Sequence, residues 1–566
     1  MLHVEHLKGI RDQEQLVKQA TGRYYTGELV GRRLAMEAAR AYRNAGSAEQ
    51  TIRILDPFGG DGRLVEWLIE AWYQSGFPDA YWDVTIWDID DVGFEEARLR
   101  FRRLARAYNT KFRVRFRVID TFSWARRTRS SFDIVVTNPP WEVLKPDRRE
   151  LESLSTKRKV QYISQLRAYD RWLGEYYPLS QPRRKFAGWG TNLSRVGLEA
   201  GLSLVRPGGV MGSVLPASIL ADDQTVRLRE HLFTRNSLIS VAYYPAEAKL
   251  YGSADIASIA LTLMAGVAPA RSLVVEAYDV EKEKFGRSVL ALNYKNLERV
   301  GYVVPVSIGV QAFEIAQNIS QRFRSWLDLE SEPGGLWAGR EIDETGIGRW
   351  LCPPCEDAPL FVKGRMIDRY SMPAAALQSV RKPGWSVPIS TRAWRIAWRD
   401  VSRPSQRRRV IATLIGPGCV AGNSIGVAYF KDMAEAPLLA LLGIMNSTCF
   451  ELQLRAHLAT GHVSLSSLRK VAVPDLAQLR DDSILKNLAK AALLACDSNA
   501  VEVDAYVARR IYGLTEQEYR AVLESFRGFS QKERQEYLQS YRKWPTTRTS
   551  NIASTGDKVQ RLCAIS

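Results

Sequence analysis

Asp133-Ile134-Val135-Val136-Thr137-Asn138-Pro139-Pro140-Trp141 is the stretch on which the fold turns. Ile134, Val135 and Val136 are β-branched and apolar in succession, which predicts a strand covered on both faces, as in a helix-wrapped parallel sheet. Two successive prolines donate no N–H, so the ladder ends at Asn138 and a stiff loop follows. Open α/β sheets bind ligands at the carboxyl ends of their strands. There Asn138 offers a carbonyl acceptor and an amide donor, Pro139 a backbone carbonyl, and Trp141 a flat face for a planar ring.

On the N-terminal side, Thr51–Leu55 reads as a short strand. Asp56-Pro57-Phe58-Gly59-Gly60-Asp61-Gly62-Arg63 follows it, then a helix through Trp72. Strand, glycine turn and helix form a nucleotide-type cradle, because glycine lets backbone approach a ligand and the helix start favours an anion. The G-x-G-x-x-G spacing of dinucleotide folds is missing, so a plain βα turn is the other reading. Tyr81–Trp87 predicts the next strand, ending in Asp88-Ile89-Asp90-Asp91. A carboxylate here, 26 positions after Gly62, suits the two hydroxyls of a ribose, Asp88 first and Asp90 second. Alternatively it caps the helix Val92–Arg106. Phe112–Val118 alternates between apolar and basic residues, and Asp120-Thr121-Phe122 closes it. From Arg98 to Arg117 there are nine basic residues and no acid, facing either phosphates or solvent at a sheet edge. Upstream, Thr21–Glu28 is a glycine-marked loop before a helix over Leu29–Ala41, with Thr26 placed to cap it.

On the C-terminal side, a polar and basic segment over about 142–188 carries Lys157-Arg158-Lys159, Arg183-Arg184-Lys185 and several aromatic residues. It is expected to be an insertion facing DNA. Asn192–Val205 predicts a helix, Pro207-Gly208-Gly209 a turn, and Val210–Pro216 a strand. Ser237–Tyr244 and Ala257–Met264 complete the sheet. Beyond residue 300, glycines, prolines and aromatics are spread among short apolar runs. Arg403, Arg407, Arg408 and Arg409 precede a strand-like Val410–Ile415, either as phosphate contacts or as a solvated edge.

The chain of 566 residues carries a net charge of +17, which favours a polyanionic partner. No run approaches the ~18 apolar residues of a membrane span. The start lacks a basic region followed by an apolar core, so a cytoplasmic, membrane-free protein is expected. Six scattered cysteines argue against a disulfide framework. Cys352-Pro353-Pro354-Cys355 is a lone C-x-x-C, and no metal is expected from it.

Asn138-Pro139-Pro140-Trp141, together with Asp56–Gly62, resembles the motifs of S-adenosylmethionine-dependent amino-methyltransferases, above all DNA adenine-N6 methyltransferases of restriction-modification systems. The resemblance implies an α/β, Rossmann-like, doubly wound catalytic domain over 1–300 with S-adenosylmethionine as cofactor. It implies a mixed α+β target-recognition domain over 301–480, with Met445-Asn446-Ser447 and Pro474 among its marks. A helical segment with a disordered tail would occupy 481–566. Asn138 and Pro139 would hold the exocyclic amine of an adenine flipped out of duplex DNA. Trp141 would stack on that base, with Tyr251 as its partner or as a plain core tyrosine. Thr26, Asp56, Pro57, Phe58, Gly60, Gly62, Asp88, Asp120 and Phe122 would line the cofactor. Cytosine-N4, RNA and protein amide methylation use the same loop and are the alternatives. About 20 residues precede the first motif, and Pro146-Asp147 with Glu150 and Glu152 lacks a nuclease lysine. The expectation is therefore a monomeric modification enzyme with a separate restriction endonuclease.

Overall fold

A computed structural model describes residues 26–46, 51–77, 79–146, 151–152, 155–182, 190–251, 256–304, 306–373, 378–403, 406–458, 462–494 and 496–545. The expected loop at 21–25, the acids Asp147 and Glu150, the basic cluster at 183–185 and the tail beyond Pro545 lie outside the described residues. The chain divides into two compact units, Met1–Val310 with Ala456–Thr460, and Gln311–Arg455 with Gly461–Ser566. No single described helix is long and apolar enough to cross a membrane.

Unit 1 is built on a nine-stranded sheet. In chain order its elements begin with α1 (Glu28–Asn44), β1 (Thr51–Asp56), α2 (Arg63–Gln74), β2 (Tyr81–Asp88), α3 (Phe94–Ala107) and β3 (Phe112–Val118). Then come α4 (Thr121–Ala125), β4 (Phe132–Thr137), α5 (Thr156–Tyr176), α6 (Leu193–Leu204) and β5 (Val205–Pro216). After α7 (Val226–Arg235) the strands β6 (Asn236–Tyr244), β7 (Ser258–Ala265), β8 (Ser272–Asp279) and β9 (Lys284–Ala291) complete it. The strand order is β3-β2-β1-β4-β5-β7-β6-β8-β9. β4 is buried at every position, as its unbroken apolar run requires, and pairs in parallel with β1 and β5. β7 runs antiparallel to both β5 and β6. That reversed strand separates this order from the 3-2-1-4-5-6 of the dinucleotide fold. The order switches direction between β1 and β4, and the crevice beyond their carboxyl ends is the expected ligand site.

One layer of helices is set by an apolar stripe. Val30, Leu34, Ala38 and Tyr42 of α1 recur at helical spacing and are buried with Ile54, Val136 and Val214 of the sheet. Gly31 admits the Trp67 ring, which would lie 2.0 Å from a Cβ at that position. At the far edge, Phe112 and Phe116 of β3 pack on Phe101 and Phe94 of α3, with ring centroids 6.1 and 5.1 Å apart. Arg113, Arg115 and Arg117 alternate onto the opposite face.

Three local readings change. The segment after Trp141, read only as a basic insertion, carries a helix of 21 residues, α5. Pro207-Gly208-Gly209 lies within β5, where the register with β4 shifts, Phe132 pairing with Val205 and Ile134 with Val210, and Gly208 takes φ +77°. β8 and β9 extend the sheet beyond the strands expected.

Unit 2 holds an antiparallel sheet of Leu336–Gly339, Ile425–Phe430, Arg395–Arg399 and Ala412–Ile415. A second four-stranded sheet contains Leu351–Cys352, Ser379–Val380, Leu360–Val362 and Cys419–Ala421. Asn446 fastens a helix end to the first sheet: its amide nitrogen donates to Ala412 O at 2.9 Å, and its oxygen accepts from Ala412 N at 3.2 Å. The segment from residue 481 onward belongs to this unit, and Tyr512 Oη donates to Ala472 O at 2.8 Å within it.

Candidate functional site

The glycine turn after β1 is held open by backbone bonds and by the Asp88 carboxylate. Gly59 N donates to Trp87 O at 2.8 Å, Gly60 N to Asp88 Oδ2 at 2.8 Å, and Gly62 N to Gly59 O at 2.8 Å. Gly60 and Gly62 take φ of +49° and +74°, which a side chain would strain. A Cβ on Gly59 would lie 2.5 Å from Ile86 Cγ2, and one on Gly93 would lie 2.3 Å from Gly60 O. Gly59 and Gly93 were not singled out from sequence. Gly59 stands inside the quoted motif, but nothing local marks Gly93, whose neighbour is 33 positions away.

Three carboxylates surround this turn. Asp56 is buried and accepts from Phe58 N at 3.1 Å. Burial pushes its carboxyl up to about 8, Asp88 and Asp61 push the same way, and the Phe58 amide and Thr137 hydroxyl oppose them. Asp61 is paired with Arg63 at 2.6 Å and Arg100 at 3.3 Å. Arg63 also donates to Thr26 O at 3.3 Å, which ties the chain before α1 to the cradle. Thr26 is buried here, but it does not cap α1, because the capping position is Gly27 and no side chain bonds there. Asp90 accepts from Val92 N at 3.1 Å in a local turn, and the following helix starts at Phe94 with Gly93 at its cap and no side chain bonded there. Asp120 caps α4: its oxygens accept from Phe122 N at 3.1 Å and Ser123 Oγ at 2.7 Å.

Aromatic rings close the side next to Asp120. Phe58 and Phe122 stand 5.4 Å apart, Phe122 and Tyr177 6.1 Å apart. Tyr177 Oη donates to Phe122 O at 2.5 Å, and Thr121 Oγ1 donates to Pro57 O. Trp172 of α5 lies 6.3 Å from Tyr177 and is parallel to Tyr169 at 6.0 Å. The segment expected to be a basic insertion therefore contributes an aromatic wall, with Lys157, Arg158 and Arg171 on its exposed side.

Asn138, partly buried, follows Thr137 directly at the end of β4. Pro139 lies against Gly197 of α6, where a Cβ would stand 2.3 Å from Pro139 Cβ and 3.3 Å from Phe58 Cε2. One missing methyl thus brings the loop, the glycine turn and α6 together. Beyond Pro140 and Trp141, Leu193 N donates to Glu142 O and Leu144 N to Thr191 O, both at 2.8 Å. Trp141 and Tyr251 meet with ring centroids 4.6 Å apart at 59°. A base held between two faces needs them about 7 Å apart, twice the ~3.5 Å contact distance, so this pair is in contact with itself. Burial pushes the Tyr251 phenol up to about 12.

The arginines proposed for DNA divide. Arg403 and Arg407 are exposed, Arg407 pairing with Glu533 and lying 4.9 Å from the Phe529 ring. Arg408 and Arg409 are buried in unit 2, which corrects their reading as surface contacts. Arg408 Nε donates to Glu451 at 2.7 Å, and Arg409 Nη2 to Ser402 O at 3.0 Å. Cys352 and Cys355 place their sulfurs 3.8 Å apart. Among the described residues no group of three or more metal-binding side chains is gathered.

No protein-family model and no curated protein sequence matches this chain. Among solved structures it is similar to the type IIG restriction endonuclease BpuSI, at 13% identity and TM-score 0.43 over 95% of this chain and 66% of that one. It is similar to a nuclease-deletion mutant of the Type ISP restriction-modification enzyme LlaGI, solved with a DNA substrate mimic, at 9% identity and TM-score 0.48. That match covers 85% of this chain and 49% of the other. The M protein of the Type I restriction enzyme EcoKI is similar at 12% identity and TM-score 0.29, over 49% of this chain and 57% of that one. The chain thus spans from about half to two thirds of these proteins' lengths. At these identities and scores, none of the three assigns an activity to it.

Proposed function

We propose that unit 1 is a methyltransferase domain that uses S-adenosylmethionine to methylate N6 of an adenine flipped out of a specific duplex DNA sequence. Unit 2 reads that sequence, and the product shields host DNA from a separate restriction enzyme. The observation that carries the reading is the placement of Asn138-Pro139 at the end of β4, adjoining the glycine cradle at the switch point and packed against it through Gly197.

The cradle fits this cofactor. Gly60 and Gly62 hold positive φ that a side chain would strain, Asp56 is a buried carboxyl suited to an ammonium, Asp88 lies at the strand end where a ribose is held, and Phe58 and Phe122 suit a purine. When bound, S-adenosylmethionine supplies an electrophilic methyl group on a sulfonium sulfur. The chain's own work is on the amine. An exocyclic amine is a poor nucleophile because its lone pair is delocalised into the ring. Asn138 Oδ1 and Pro139 O accept its two N–H bonds, draw the nitrogen toward tetrahedral geometry and localise that lone pair. Trp141 holds the extruded ring, for which the Trp141–Tyr251 contact must open. The purified chain, given tritiated cofactor and a duplex library, is expected to yield N6-methyladenine on nucleoside analysis. N4-methylcytosine would reassign the base, and label confined to RNA or protein would overturn the reading.

Two further outcomes follow from the geometry. Burial pushes the Asp56 carboxyl up to about 8, and a ligand ammonium favours its ionised form. Cofactor binding at pH 7 therefore releases most of a proton, and affinity rises with pH up to about 8 and falls above it, as the ligand's own α-ammonium, with a value of about 8, loses its proton. Calorimetry in buffers of differing ionisation enthalpy measures the release. Asp56→Asn should abolish it, and equal release from both proteins would sink the assignment. Second, Gly197→Ala pushes Pro139 aside. Displacements near 1 Å cost on the order of 100-fold in rate, so kcat should drop between ~10- and ~100-fold with cofactor affinity nearly kept. An unchanged kcat would show that the loop does not depend on this contact.

A further inference from the structure

The arginine-rich run from Arg98 to Arg117 does not form one surface. On α3, Arg98 pairs with Glu95 at 3.2 Å, Arg103 with Glu96 at 3.2 Å, and Arg100 with Glu66 at 2.6 Å. On β3, Arg115 is held by Asp83 at 2.9 Å. Arg113 and Arg117, on the same face of this edge strand, are exposed, and Arg117 lies 5.9 Å from the ring of Trp124, itself 40% exposed. α4 and the turn after it add exposed Arg127 and Arg129. Among the described residues, no carboxylate lies within ion-pair distance of Arg113, Arg117, Arg127 or Arg129.

We propose that Arg113, Arg117, Arg127 and Arg129, with Trp124 among them, form a second DNA surface that grips the phosphate backbone without reading sequence. This rests on the methyltransferase reading above. β3 is parallel to β2, β1 and β4, so Arg117 and Asn138 lie toward the same end of the sheet, three strand spacings or about 14 Å apart across it. A duplex delivering a base to Asn138 has flanking phosphates that extend beyond the base itself. Guanidinium forks match phosphate oxygens in pairs. Blunting a sheet edge against self-association needs only scattered charge. On the neighbouring helix Arg98, Arg100 and Arg103 have acids of their own, while this face leaves four arginines without them.

The test is the salt dependence of duplex binding by the full chain. Each phosphate contact contributes about 0.9 to the slope of log K against log salt concentration. The fourfold variant Arg113→Gln, Arg117→Gln, Arg127→Gln, Arg129→Gln should lower that slope by about 3 to 4, weaken cognate and scrambled duplexes by the same factor, and keep cofactor affinity. The pair Arg127→Gln, Arg129→Gln should give about half the change. Arg98→Gln with Arg103→Gln, whose partners are Glu95 and Glu96, should leave the slope alone. An unchanged slope in the fourfold variant, or an equal fall in the α3 control, overturns the surface while leaving the proposed activity standing. A wild-type chain that binds no duplex overturns both.

Discussion

Asn138→Ala is expected to lower the rate of methyl transfer by about two to three orders of magnitude, the loss seen when one preorganised polar contact to a reacting centre is removed. The effect should fall on kcat, because the amide oxygen does its work as the amine leaves planarity. Substrate and transition state differ most at that nitrogen. The Pro139 carbonyl remains, so a residual rate is expected. Cofactor affinity should be nearly unchanged, since the glycine turn is held by its own backbone bonds and by Asp88. A cofactor titration beside a tritium-transfer assay on the same preparation separates a folded, inactive variant from a misfolded one. Full activity in Asn138→Ala would remove the basis of the mechanism, whatever the cofactor result.

The parts of unit 1 that were readable beforehand are those fixed by short-range chemistry. β1 and β4 announce themselves by apolar runs that stop at Asp56 and at two prolines, and the glycine turn by residues that must lie within one loop. Asp120 was readable as an acid at a strand end, but Asp-Thr-Phe-Ser is also a helix cap, and the structure uses it so. β9 has only Leu290 buried, so no hydrophobic pattern marks it. Gly197 had a faint signal, since glycine inside a helix costs about 1 kcal/mol and calls for a reason. That reason, Pro139, lies 58 positions away. Arg408 and Arg409 beside Arg407 look like one basic cluster in sequence. What separates them is Glu451, more than forty residues on, and no local pattern reports a partner at that distance.

Glu451 should be the most destabilising single position in unit 2. It is fully buried and accepts from Arg408 Nε at 2.7 Å, Arg409 N at 2.7 Å, Arg455 Nε at 2.9 Å and Val410 N at 3.3 Å. Glu451→Ala leaves the Arg408 guanidinium buried without its carboxylate and strands two backbone amides. Breaking a buried pair from one side costs about 3–5 kcal/mol, a large part of the 5–15 kcal/mol that holds a typical domain. Glu451→Gln keeps the shape and one acceptor, so it should lose less. Burial alone would raise this carboxyl, but Arg408, Arg455 and the Arg409 amide bring it down to about 2. A lowered carboxyl stabilises the fold above its unfolded value near 4.3, and the contribution fades as pH falls toward 2. The wild-type chain should therefore lose stability through that acid range while Glu451→Ala, already weakened, loses less. Hydrogen exchange across 440–455 at pH 7 and pH 3.5 reports on this unit alone. Equal protection in both proteins at pH 7 would show the network to be dispensable. The same experiment decides how Arg408 acts. As a phosphate contact, Arg408→Ala would lower the salt slope of DNA binding and leave exchange protection intact. As the partner of Glu451, it should lose protection across 440–455 first, with any loss of DNA binding following from that.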